Sequence, residues 1–252
     1  MKREIDKSVC EFGLSTLHAY IRFFEWLYHV SIRLDTKSWQ KRKDVKELID
    51  ARETYIKNRF HSEMGLPVGI IIQGKSTTHD GNMARRFFEN ASKSADITGI
   101  SEEVISRCAV ILTTLSCGYA VNVNAFKDYA LDTARLYVKE YPWYPIPASV
   151  HKILIHGSDV ISVSLLPIGM LSEEAQEARN KDIRTFREKF TRKISRTATN
   201  EDVMHIFLIS SDPVISSYRS LPRRKEGCLS PNVIAFLDNL ESNEDIEDSD
   251  DE

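Results

Sequence analysis

With 252 residues, 42% of them apolar and 28% charged, the chain can bury one good core and a small second one, since a typical domain runs to about 100–200 residues. The formal charge of −3 hides an uneven distribution: residues 241–252 carry eight acidic side chains and no basic one, which leaves 34 basic against 29 acidic groups elsewhere, or +5. No run approaches the ~18 apolar residues of a membrane span, MKREIDK at the start lacks the apolar centre of a leader peptide, and Cys10, Cys108, Cys117 and Cys228 form no C-x-x-C pair, so a membrane protein and a disulfide scaffold are excluded and a soluble nuclear or cytoplasmic protein is expected.

Residues 14–34 predict the first helix. Leu17, Ile21, Phe24, Leu27, Tyr28 and Ile32 recur at three and four, while His18, Arg22, Glu25 and His29 form a solvated stripe. A charged helix is predicted over 37–64, with Val45, Leu48, Ile49, Ile56 and Phe60 inward and Gly65 as its stop. The next stretch, LPVGIIIQGKSTTHDGN, is non-helical, and residues 69–76 spell G-x-x-x-x-G-K-[ST], the text of a phosphate-binding loop. Such a loop wraps backbone amides around phosphate and needs small residues, whereas Ile70, Ile71 and Ile72 are β-branched. The Pro-broken run before it is also too short for the strand such a loop follows. No nucleotide cofactor is expected.

Asp80 is positioned to cap a short helix, GNMARRFFEN, in which Arg85 and Arg86 project beside Phe87 and Phe88 as either a charged outer face or a phosphate clamp. Ser101 with Glu102 and Glu103 opens an apolar helix ending at Gly118, expected to be the most buried of the fold. Asn124 is expected to cap FKDYALDTARLYVKEY, which must stop before Pro142. PWYPIP then forms a stiff connector, with Trp143 and Tyr144 as packing elements rather than base-stacking platforms. Further on, a helix is predicted from Thr199 to Ile209, with Asp202 in a box-like position. Residues 210–227 read as loop, and Ser230–Pro231 opens a last short helix to Leu240. The acidic tail beyond it is too polar to order itself. Strand patterns are nearly absent, so the fold class is mainly α.

The chemistry concentrates in residues 149–196. Ser149 is expected to cap a short helix carrying His151 and His156, which a spacing of five sets about 140° apart. For both to reach one metal the helix would have to unwind, as Gly157 allows. H-x(3–5)-H is half of many zinc sites, but the usual cysteine half is missing, and two unrelated histidines satisfy the spacing equally. Ser172 is a good N-cap for a helix starting at Glu173, where Glu173, Glu174 and Glu177 suit the helix dipole. On that helix Ile183, Phe186, Phe190 and Ile194 share one stripe. Arg179, Lys181, Arg184, Arg187, Lys189, Arg192, Lys193 and Arg196 occupy the rest, a charge density suited to a nucleic-acid backbone.

Several motifs occur in a telling order: L-H at Leu17 followed by F-E at Phe24, D-G-N-x-A-R-R at 80–86, R-L-Y-V-K-x-Y-P-W-Y-P at 135–145, V-H-K-x-L-x-H-G at 150–157 and L-P-I-G-x-L-S-E-E-A-x-E-A-R-N-K at 166–181. Together, over residues 10–217, they resemble the C-terminal part of Transib transposases, relatives of the catalytic subunit of the V(D)J recombinase. The resemblance implies the helical C-terminal region of an RNase H-like transposase, lacking most of the RNase H-like β-sheet. It covers residues 1–217, followed by a loop and short helix over 218–240 and a disordered acidic tail over 241–252.

It also implies a metal-dependent cut-and-paste enzyme in which two aspartates and one glutamate hold two Mg²⁺ ions. The family's E-x-x-E-x-x-N-K pattern puts the metal-binding glutamate on Glu174, with Glu177, Asn180 and Lys181 matching downstream. Its H-x(4)-H half of a structural Zn²⁺ site falls on His151 and His156. The family's two aspartates and its cysteine pair have no match in these 252 residues, so autonomous cleavage is not expected. The implied partners are transposon-end DNA and either a second copy or a full-length transposase, with Arg85, Arg86, Lys181, Arg184, Arg187 and Lys193 as candidate backbone contacts. An α-helical protein-interaction module on the same scaffold is the alternative.

Overall fold

The computed structural model describes residues 13–40, 43, 45–69, 80–171, 174–218 and 229–238, and of 174–178 and 216 the backbone alone. Of the described residues 72% are helical and none lies in a strand, as the apolar periodicities require. None of the described helices is long and apolar enough to cross a membrane. Two compact units are present, one formed by residues up to Ser172 together with those from Ser230, the other by Glu173–Leu229.

The first unit is built round α1 (Thr16–Ser31), whose N-cap Ser15 accepts a hydrogen bond from the His18 amide. Ten of its sixteen residues are buried; of the expected stripe Phe24, Leu27, Tyr28 and Ile32 are buried, whereas Leu17 and Ile21 are only half-buried. Phe23, Trp26 and Val30 lie on a second face that is also fully covered, because neighbours pack on both sides of the helix. His18, Arg22 and His29 remain exposed as expected, and Arg22 pairs with Glu25 at 2.7 Å.

Aromatic rings fill the space around α1. Phe24 meets Phe87 of α3 (Gly81–Glu89) edge-on at 5.1 Å and Phe60 of α2 (Lys46–Met64) at 6.5 Å. Trp26 lies 4.3 Å from Tyr137 of α6 (Val123–Glu140). Edge-on and tilted geometries of this kind add to the burial of each ring.

Differences from the predicted boundaries have local causes. The second helix starts at Lys46, not at 37, since Lys37 adopts a left-handed φ of 44° and the chain turns through 32–37. It ends as expected at Gly65, φ 62°. Leu48, expected inward, is 60% exposed, while Ile49, Ile56 and Phe60 are buried. A helix absent from the sequence reading, α4 (Ala91–Thr98), follows α3 after a break at Asn90. Arg52 fastens it: its guanidinium donates to the Ser31 carbonyl at 2.6 Å, to the Thr98 carbonyl at 3.1 Å and to Asp35 at 3.0 Å. One cation thereby serves the exposed carbonyl ends of two helices. Gly69 has φ 64°, and residues 70–79, which hold most of the phosphate-loop text, lie outside the described residues.

In α5 (Glu102–Ser116) seven of fifteen residues are buried, so α1 and not α5 is the most buried helix. Asn122, not Asn124, caps α6, accepting from the Ala125 amide at 3.0 Å. The PWYPIP segment packs as expected, with the Tyr137 hydroxyl donating to the Tyr144 carbonyl at 3.1 Å. The next helix, α7 (Ala148–Val163), starts after Pro147 without a side-chain cap, so Ser149 lies inside it, and it runs unbroken through Gly157. There a Cβ would stand 3.1 Å from the Phe126 ring, so Gly157 serves the close approach of α6 and α7 rather than an unwinding.

A 3-10 turn (Ile168–Leu171) then brings Gly169 onto the end of α5. An added Cβ would lie 2.6 Å from the Gly118 nitrogen and the Ser116 oxygen. The returning chain forms α11 (Pro231–Ile234), shorter than expected because it turns into an isolated antiparallel bridge between Leu237 and Val121. Phe236 closes this strap against Tyr129 at 4.8 Å.

Phe24→Ala should cost about 3–5 kcal/mol, the usual toll of removing a buried aromatic ring, read as a lowered denaturant midpoint. A loss below about 1 kcal/mol would show that the rings round α1 are not close-packed. Gly169→Ala should also lower the midpoint, because its new methyl meets backbone, which cannot swing aside.

Candidate nucleic-acid interface

The second unit is a helical hairpin. α8 (Glu174–Lys189) and α9 (Arg196–Ser211) are followed by a short α10 (Pro213–Ser217) where loop was expected. The missed signal was Asp212–Pro213, an N-cap followed by proline at the first helical position. Asp212 Oδ1 accepts from the Val214 and Ile215 amides at 2.9 and 3.0 Å. α9 begins three residues before the predicted Thr199, because Ser195 caps it through the Ala198 amide at 3.1 Å. Ser172 and Glu173 lie outside the described residues, and of Glu174 and Glu177 only the backbone is described, at the start of α8.

The hairpin closes on three rings, Phe186 with Phe190 at 6.3 Å and Phe186 with Phe207 at 5.6 Å. Arg179 lies over Phe207 at 5.0 Å and donates to the Ser210 and Ser211 hydroxyls at 3.0 and 2.9 Å. It is therefore a clasp between α8 and α9, not a free cation. At the other end Arg192 grips Asp202 with its guanidinium at 2.8 Å and its amide at 2.7 Å. Asp202 is thus an acceptor for the connecting turn rather than part of a capping box. The same hydrogen bonds hold its carboxyl below the usual carboxylate range.

Three of the eight cations between 179 and 196 are paired: Arg179 with Asp182, Arg184 with Glu188 at 3.0 Å, and Arg192 with Asp202. Lys181, Arg187, Lys189, Lys193 and Arg196 are exposed and make no ion pair among the described residues. Four of these five, with Arg192, fall within residues 187–196, the last turn of α8, the connecting turn and the start of α9. The tip of the hairpin is therefore densely cationic, and the carbonyl end of α8 favours that sign.

The other sequence-predicted residues lie in the first unit. Arg86 is exposed but donates to the Met64 carbonyl at the end of α2. Arg85 is half-buried, its guanidinium 5.0 Å from the centre of the Tyr20 ring. Both are engaged in holding α1, α2 and α3 together.

His151 and His156 do meet, with ring centres 5.3 Å apart and planes at 61°, although α7 stays helical between them; the reach of the two side chains closes the gap. The buried His156 Nδ1 has no hydrogen-bond partner and lies 3.7 Å from Asp159 Oδ2. Among the described residues no group of three or more His, Cys, Asp or Glu could hold a metal ion. A structural zinc site takes four ligands, so two imidazoles do not fit a complete one, and no step is assigned to a metal there. Of the described cysteines Cys108 is buried and Cys117 half-buried, and burial pushes both thiols up.

The first unit also has an apolar groove of about 290 Å³ between the ends of α5, α6 and α7, lined by Leu115, Val121, Ile161, Leu165 and Ile168. Tyr119, Ser162 and Ser164 are the polar side chains of its lining. Sequence reasoning also missed the outer side of α9, where Met204, Leu208 and Ile209 are each about 60% exposed and no residue is buried. No protein-family model and no curated protein matches this chain.

Because the Asp202 carboxyl is held low, its contribution to the hairpin is present above the ordinary aspartate range and lost as pH falls through the lowered folded value. The Arg192 amide should accordingly lose hydrogen-exchange protection on acidification. Asp202→Ala, which removes the acceptor, should expose that amide at neutral pH, and unchanged protection in the variant would show that the tip is held by other contacts.

Proposed function

We propose that this chain is a Transib-like transposase C-terminal segment whose second unit binds duplex DNA through the phosphate backbone. The observation that carries this is the hairpin tip, where Arg187, Lys189, Lys193 and Arg196 are exposed and make no ion pair among the described residues. Cations on a pre-formed helical support neutralise phosphates and release counterions, and this binding carries little sequence information by itself. The ordered motifs from 80–86 to 166–181 support the transposase reading, and an RNase H-like origin follows from it.

On that reading Glu174 is the acid that would chelate Mg²⁺ together with two aspartates from matching sequence, and His151 and His156 are half of a Zn²⁺ site. Divalent magnesium in such a triad activates an attacking oxygen and stabilises the leaving one. With one matched carboxylate, this polypeptide by itself is proposed to bind DNA without cutting it. A second reading, a helical protein-interaction module, is favoured by the exposed apolar side chains of α9. It expects Glu174→Ala and His151→Ala to leave folding and partner binding unchanged and no affinity for duplex DNA.

Titration of a labelled duplex across salt concentrations separates the two. Four to five phosphate contacts predict log K falling with log salt at a slope of about −4. Reversing Arg187 and Lys193 to Glu should weaken binding on the order of tenfold or more and flatten the slope by about 2. Negligible binding at low salt, or binding indifferent to these reversals, would contradict the proposal.

A further inference from the structure

The apolar groove of the first unit has an open backbone edge along one of its banks. Tyr119, Ala120 and Val121 form that bank, and Leu165, Leu166 and Pro167 form the other. Residues 120–122 are also one side of the bridge to Leu237, in which the Asn122 amide donates to the Phe236 carbonyl at 2.8 Å and the Asp238 amide to the Ala120 carbonyl at 3.0 Å. In an antiparallel pair bonded in this way the two residues between the bonds, Val121 and Leu237, turn their own N–H and C=O groups away from one another. No described residue of the strap lines the groove, which therefore borders the opposite edge of 120–122. Among the described residues neither the N–H nor the C=O of Val121 has a backbone hydrogen-bond partner.

The side chains beside this edge are apolar and accessible. Leu165 is 99% exposed, and Tyr119, Leu166 and Met170 are each about half exposed or more. Apolar side chains clustered at the rim of a cleft mark a contact surface, and the open edge selects what fills it. A small apolar molecule would cut the Val121 groups off from water without bonding them. A helix has spent its own backbone groups internally. An extended chain satisfies the edge and lays alternate side chains into the groove.

We propose that this groove binds an extended segment of another polypeptide, apolar at alternate positions, which pairs its backbone with Val121 and sets its side chains against Leu115, Ile161, Leu165 and Leu166. Pairing with the edge supplies orientation, and the groove chooses the side chains. With a single edge residue to pair, the expected Kd is modest, on the order of 10–100 µM. The site lies wholly within the first unit, and it stands or falls independently of the DNA contact proposed above.

The probe is an immobilised pool of capped hexapeptides with Val, Ile, Leu or Phe at alternate positions and Thr, Lys or Glu between them, screened with the full-length chain. Binders are then titrated in solution. The Val121 amide should gain hydrogen-exchange protection, and its resonance should move together with those of Leu165 and Leu166. N-methylation of a binder, one residue at a time, should weaken binding tenfold or more at the residue that donates to the Val121 carbonyl and little at its two neighbours, whose N–H groups point to the other edge. Leu165→Asp changes a fully exposed side chain, so the fold should survive by circular dichroism while binding falls by a similar factor. A pool without binders, binders that respond to methylation at every position alike, or binders indifferent to Leu165→Asp would overturn the proposal. The first of these is also the outcome if another part of this chain already fills the groove.

Discussion

The burial of α1 on nearly every side is the constraint from which the first unit follows. A helix with Phe23, Phe24, Trp26, Leu27 and Val30 all essentially inaccessible to water cannot lie on a surface, so α3, α5 and α7 must pack around it. Removing these side chains from water supplies most of the driving force. Polar contacts then fix the arrangement, with Arg52 joining the ends of α1 and α4 and Asn122 setting the start of α6. Gly169 allows a close approach of backbone, where an added methyl group would meet atoms that cannot swing aside, and Gly157 lets the Phe126 ring pack against α7.

The second unit has no comparable centre. α9 buries no residue at all, and two sixteen-residue helices would be marginal alone. Three aromatic rings and two arginine clasps, Arg179 at one end and Arg192 at the other, hold the hairpin together. A construction so economical in apolar contact leaves most of its surface for other work. The outer side of α8 and the connecting turn are cationic, and the outer side of α9 is apolar. The cations of this helical support that make no ion pair among the described residues are the physical basis of the functional proposal, since long-range attraction needs unpaired charge and short-range fit does not.

Much of this organisation could be read from the residues. Period-3.6 patterns gave the helical class and located α1, α2, α5 and α6, and the Gly65 stop and the Asp80 cap were legible because their chemistry is local. What the residues concealed depends on tertiary partners. The second face of α1 looked like ordinary apolar residues off the stripe until neighbours covered it. Asn122 and Asn124 are equivalent as text, and only the trajectory out of the Val121–Leu237 bridge selects the first.

Within the candidate site, the cations of 179–196 were visible as a run, but their sorting into clasps and free groups was not. Asp202 reads as a capping residue in sequence and becomes the acceptor of Arg192, ten residues earlier, only when the chain turns back. Likewise Arg85 and Arg86 looked like a free pair, yet Tyr20 and the Met64 carbonyl claim them. His151 and His156 were expected to need an unwound helix and instead meet across an intact one, because backbone spacing does not include the length of the side chains.

The proposed DNA contact belongs to the lightly built hairpin and its cationic tip. Amide chemical-shift mapping during titration with a short DNA duplex tests it most directly, because it reports both units at once. Shifts concentrated at residues 181–196, with α1 and α5 unmoved, are the predicted result. Shifts centred on the first unit, or none at low salt, would contradict it.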